Sequence, residues 1–228
     1  MTIPLIDKQD FFEIVLTQIG AILAAETLAQ QLLAVGVGKP DPDLWKFDVY
    51  TNRYNPEEVF QQNPDAAPVV NIWHDNSNFP EKDSQSVGRQ VSVSTYNLDI
   101  YAAASSSDDP TGGYNRGDEE SSLNLNRIIR FVRNIIMHPD NLYLQLFLMI
   151  GSRKQNGIFK RWIQSFQRFQ PQIDDRPIQD VIATRCSLQV QFNEMPVIES
   201  YEPLEIINIE AKRTEDGKIV FETQFDTT

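Results

Sequence analysis

Two segments of this chain repeat their apolar residues at helical spacing, while most of the others alternate apolar and polar residues. A period near 3.6 turns one face of a helix to a core, and a period of two does the same for a strand. The first helical segment is Phe11 to Ala34, where Phe12, Val15, Ile19, Ile22, Leu23 and Leu33 fall close to one stripe. Asp10 is placed to cap its start, and Gly36 and Gly38 with Pro40 end it. Its alanine-rich middle, Ala21 to Ala29, favours helix and permits close packing. The second runs from Asp118 to Met137, with Leu125, Ile128, Ile129, Val132 and Ile136 as its apolar stripe. Asp118, Glu119 and Glu120 sit at the positive end of its dipole, and Pro139 stops it.

The strands expected are Leu44–Thr51, Val69–His74, Val91–Ala104, Leu142–Met149 and Val181–Glu194. In the first, Trp45, Phe47 and Val49 share a side; in the last, Cys186, Leu188, Val190 and Phe192 do. A short helical turn or loop is expected over Asn55–Asn63, and polar loops over Asp75–Gln90 and Ser105–Gly117. Ile158–Phe169 fits either period, because Phe159, Trp162, Phe166 and Phe169 also suit a helix; a strand pairing with the next one is the reading taken. Leu204–Arg213 and Lys218–Phe225 flank Asp216-Gly217, a strong short hairpin signal. The pattern predicts an α+β fold: a mixed or antiparallel sheet and two long helices, plus a C-terminal β-hairpin extension. The expected division is residues 1–200 for the α+β domain and 201–228 for the hairpin arm.

At 228 residues, 41% of them hydrophobic, the chain can bury a real core. No apolar run approaches the roughly 18–20 residues of a membrane span, so no membrane partner is expected. Met1-Thr2-Ile3-Pro4 lacks the basic region of a secretory signal, and one cysteine fits a reducing compartment. A soluble cytoplasmic product is the expectation. The formal net charge of −12 argues against gripping DNA, whose phosphates are neutralised by Lys and Arg.

Residues that do chemistry are scarce. His74, His138 and Cys186 lie in three separate segments, without the close spacing of zinc ligands, so neither metal nor cofactor is expected. Gly36-Val37-Gly38-Lys39 hints at a phosphate loop, but Leu33 and Pro40 replace its required residues and a helix precedes it; a helix C-cap explains it better. Cys186 reads as a buried, inert thiol. Asp108-Asp109, Asp118-Glu119-Glu120 and Asp174-Asp175 lack the EF-hand pattern and are explained by loop solvation and helix N-terminal charge. Arg127, Arg130 and Arg133 recur every third residue as a basic stripe. They are either a solvated helix face or a subunit contact with a neighbour's acidic loop. With Asp216 and Gly217 of the hairpin, they are the interface candidates.

The order of helix, strands Leu44–Thr51, Val69–His74 and Val91–Ala104, helix Asp118–Met137, and strands ending in Ser187-Leu188-Gln189-Val190-Gln191-Phe192-Asn193-Glu194 resembles the tail-terminator (tail-completion) family of long-tailed bacteriophages. The resemblance spans about residues 9–196 and rests on element order and late-strand texture; the hairpin after Pro203 is an addition to it. It implies a small α+β domain with two helices on one side of a sheet. It further implies a virion structural protein without catalysis, assembled in the host cytoplasm as a homo-oligomeric ring, usually of six subunits. Such a ring caps the tail tube and joins it to the head–tail connector in the virion neck, and DNA passes its lumen without specific binding. A neck adaptor or baseplate protein shares this logic. A small-molecule enzyme built from scattered Asp, Glu, Tyr and Arg is the reading from another class.

Overall fold

The computed structural model describes residues 10–39, 41–80, 90–108, 114–150, 153–173, 176–177, 181–194, 206–212 and 219–226. In chain order the elements are α1 (Phe11–Gly36), β1 (Asp48–Thr51), α2 (Glu58–Gln62), β2 (Val69–Asn78), β3 (Gln90–Ala103), β4 (Ser107–Asp108), β5 (Tyr114–Asn115) and α3 (Gly117–Met137). They continue with β6 (Phe147–Ile150), β7 (Arg153–Asn156), β8 (Ile158–Phe169), β9 (Gln172–Ile173), β10 (Arg176–Pro177), β11 (Val181–Glu194), β12 (Ile206–Lys212) and β13 (Ile219–Asp226).

The main sheet has the order β1-β2-β3-β11-β8. β1 runs parallel to β2 and every other pair is antiparallel, so the sheet is mixed, as the α+β expectation requires. Alternation places Val70 and Ile72 of β2, Leu98 and Ile100 of β3, and Cys186, Leu188, Val190 and Phe192 of β11 on one face. That face meets both long helices. α1 lies over β1 and β2, and α3 over β3 and β11. Val15, Ile19, Leu23, Leu125 and Val132 are fully buried between the layers. Burying each such side chain contributes about 1.5–3 kcal/mol, so this one interface dominates the stability of the domain.

The helix ends follow the residues. The Glu13 carboxylate accepts a hydrogen bond from the Asp10 backbone N–H at 3.1 Å, one half of a capping box. At the other end Lys39 N donates to Ala34 O and Gly38 N to Val35 O, with Gly38 at a left-handed φ of 68°. That is a Schellman cap, and it accounts for Gly38 of the apparent phosphate loop. Gly117 opens α3 so close to the preceding chain that an added Cβ would lie 2.5 Å from Ala104 O.

Several boundaries differ from the sequence expectation. The Leu44–Thr51 strand is shortened to β1, because Pro42–Trp45 forms a 3-10 turn whose Asp41 side chain accepts from Asp43 N. β2 extends beyond His74 to Asn78, through a register shift between His74 and Asn76. Leu142–Met149 is a strand only from Phe147 onward: Leu144 and Gln145 turn the chain at φ of 46° and 55°. Contrary to the expectation that no segment does so, α1 meets the length and hydropathy of a membrane span; 39% of its apolar window is buried within the protein. Ile158–Phe169 is a strand.

The chain divides into Gln9–Met195 and a terminal unit. The described part of that unit is the antiparallel β12–β13 ladder, running from Ile206 opposite Asp226 to Lys212 opposite Ile219. Asp216 and Gly217, expected at its turn, lie outside the described residues, as do Asp109, Asp174 and Asp175.

Candidate subunit interface

The three arginines of α3 do not share one environment. Arg127 donates to the Asn124 side chain at 3.0 Å and its guanidinium stands 6.0 Å from the Trp45 ring, on the side of the helix that faces the 3-10 turn. Arg133 is exposed on the other side, beside β8, and Arg130 is exposed between the two, facing away from the core. A three-residue step rotates each arginine by about 60° from the last, which is enough to split a stripe of three across a helix. Arg133 and Met137 of α3, with Trp162, Ile163 and Phe166 of β8, line an open groove of about 700 Å³. Arg168 of β8 reaches across its far end to Asn126, donating at 3.0 Å.

α1 carries the second conspicuous surface. Leu28, Leu32, Leu33, Val35 and Val37 are each more than half exposed, at 56–66%. Thr27 and Gln31, on the neighbouring side of the same helix, hold the 3-10 turn in place. Thr27 Oγ1 donates to Trp45 O and accepts from Phe47 N, both at 3.2 Å, while Gln31 donates to Asp43 at 3.2 Å. The acidic turn therefore lies beside the apolar helix end. Behind it is a cleft of about 370 Å³, lined by Asp41, Asp43, Asp65 and Glu120 against Lys46 and Arg127. Ser105 donates to Asp65 from its hydroxyl and its backbone N–H, which holds the Asp65 carboxyl below the usual aspartate range.

No family model and no curated protein matches this sequence. The reading of the site therefore rests on the chain itself.

Three arrangements escaped the sequence reading. On the sheet face away from α1 and α3, Asp99 is buried and accepts two hydrogen bonds from Arg185 and one from Trp73 Nε1 at 2.9 Å. The Arg185 guanidinium lies between the Trp73 and Phe169 rings, 5.0 and 5.4 Å from their centroids. Burial, helped by the Asp99 charge, pushes the nearby Tyr101 hydroxyl upward. Only the alternation of β3 and β11, which puts Asp99 and Arg185 on the non-core face, pointed toward this pair in the sequence.

His74, isolated in sequence, is joined to a hydroxyl chain. Its Nε2 is 2.9 Å from Ser77 Oγ, which is 2.6 Å from Ser94 Oγ, itself 3.1 Å from Ser92 Oγ. The ring packs against Phe12 and Tyr96, and burial lowers its pKa. This network ties the end of β2 to β3. Cys186 lies on the helix-facing side of the sheet, where burial pushes its thiol up to about 12.

The third is the C-terminus of α3, whose last turn holds no basic residue of its own. Arg161 of β8 serves it instead, donating from Nε to Ile136 O at 2.8 Å and from Nη2 to His138 O at 2.9 Å. The carbonyls left over at a helix end, and the negative end of its dipole, are thus met by a residue 25 positions away.

Proposed function

We propose that this chain is a non-catalytic structural subunit of a bacteriophage tail: a tail terminator that assembles into a ring, usually of six copies. The ring caps the finished tail tube and joins it to the head–tail connector in the virion neck. The observation that carries the assembly reading is the exposed apolar end of α1. A domain rarely leaves a contiguous run of Leu and Val in water unless a partner covers it, because apolar area gains free energy on leaving solvent. The phage assignment is supported by the element order, with two helices on one face of the sheet. The acidic balance suits a lumen through which DNA slides without adhering. The C-terminal hairpin would serve as an arm, adding a strand to a neighbour's sheet edge. β8 offers such an edge, since among the described residues it pairs with β11 alone.

Sedimentation and negative-stain imaging of the full chain test this reading, together with mixing onto growing tail tubes. Rings that stop tube growth are the expected result, and arrest of growth distinguishes a terminator from a neck adaptor. A monomer at every concentration, leaving tube growth unchanged, would sink it.

A further inference from the structure

A ring requires each subunit to meet its neighbours through two different surfaces, and the charges of this protomer select which two. In the main sheet α1 lies over the β1–β2 edge, whereas the α3–β8 groove lies at the opposite edge. The groove has apolar walls in Ile163, Phe166 and Met137 and a cationic rim in Arg133, with Arg130 one turn earlier on the helix. Among the described residues neither arginine enters an ion pair. The α1 end has the converse character: Leu28, Leu32 and Val35 beside Asp41 and Asp43.

We infer that the α3–β8 groove of one copy receives the C-terminal end of α1 of the next copy. Arg130 and Arg133 then meet the carboxylates of Asp41 and Asp43, and the leucines lie against Ile163, Phe166 and Met137. Sign decides between the possible pairings. The chain carries 32 acidic residues against 20 lysines and arginines, so two copies repel unless a contact inverts the charge locally. A two-fold contact through α1 would bring Asp41 and Asp43 near their own copies, and one through α3 would do the same for the arginines. Only the head-to-tail pairing joins opposite charges, and it is the kind of contact from which a closed ring is built when its rotation divides the full turn. Arginine suits this role because its planar fork binds a carboxylate through two parallel hydrogen bonds. The inference rests on the ring reading and adds to it the identity of the faces that meet.

The test uses two full-length variants, R130E/R133E and D41K/D43K, with mass measured by sedimentation over a range of concentrations and folding checked by circular dichroism. Each reversal alone is expected to weaken assembly at least tenfold while leaving the fold intact. An equimolar mixture of the two is expected to recover rings, since every alternating contact then joins opposite charges. The chain carrying all four substitutions should recover them as well. If the unaltered chain forms rings and either reversal leaves them unchanged, or the folded mixture stays monomeric, this pairing is wrong and the ring reading survives. If the unaltered chain never assembles, the ring reading fails and the pairing with it. A variant that loses its circular dichroism is replaced by R130Q/R133Q or D41N/D43N, for which a smaller loss of assembly is expected and wild-type assembly overturns the pairing.

Discussion

Arg185 and Asp99 stand directly opposite one another on β11 and β3, and the guanidinium closes a two-pronged bond on the carboxylate, Nε to Oδ1 at 2.7 Å and Nη2 to Oδ2 at 3.0 Å. The side chain of Asp99 is 5% exposed and that of Arg185 38%, so the acid is the member that depends on the pair. Removing one partner of a buried pair leaves the other charge uncompensated, whereas removing both exchanges polar for apolar contact. Arg185→Met should therefore cost about 2–3 kcal/mol in urea unfolding, since the remaining Trp73 bond satisfies only part of the carboxylate. Adding Asp99→Leu should recover a share of that loss. Strictly additive losses in the double variant would show that the two residues are not coupled.

Arg161→Met should destabilise the protein by about 1–2 kcal/mol, because two carbonyls at the end of α3 lose a charged donor. The effect should appear as earlier hydrogen exchange in the last turn of α3. Exchange that accelerates evenly through the helix would instead indicate a general loss of packing.

Acid should weaken the fold through His74. Burial lowers its folded pKa from the ordinary 6.5, so just below that value the unfolded chain binds a proton that the folded chain does not. Stability is then fully present above pH about 6.5 and falls as pH drops through that value toward the folded pKa. Unfolding midpoints of the native chain and of His74→Asn, measured from pH 7.5 to 5.5, should differ in slope over this window. Parallel curves would assign the loss to other groups.

Gly117→Ala should be costly despite being a helix-favouring change. Its methyl group would meet Ala104 O at 2.5 Å and Ser106 N at 2.9 Å, both of them backbone atoms that cannot rotate away. A loss of about 1–3 kcal/mol is expected, the usual range for overpacking. A gain of stability would mean that the start of α3 shifts freely.

Cys186 should stay silent toward a thiol reagent such as Ellman's until the protein unfolds, since the thiolate is the reactive form and burial holds its pKa at about 12. Reaction at the rate of a free thiol in native buffer would contradict its burial.

The periodicity of the sequence alone determined the two long helices, the alternation of β11, the β12–β13 pairing and most of the apolar stripes, though Leu33, expected on the α1 stripe, is 56% exposed. These are local properties: period, cap and turn residues act within a few positions of one another. The two-residue ladders β4–β5 and β9–β10 and the bend at Leu144–Gln145 were illegible, because elements so short carry no period to read. Tertiary structure decided everything that joins remote segments. It brought Asp99 to Arg185 across 86 positions, gave α3 its terminal cation from β8, and strung His74 to the serines of β3. It also divided the arginines of α3 between two surfaces and left the end of α1 uncovered. Spacing along a chain fixes which face of an element a side chain occupies, but only the packing of the other elements determines whether that face meets a helix, an opposite charge or water.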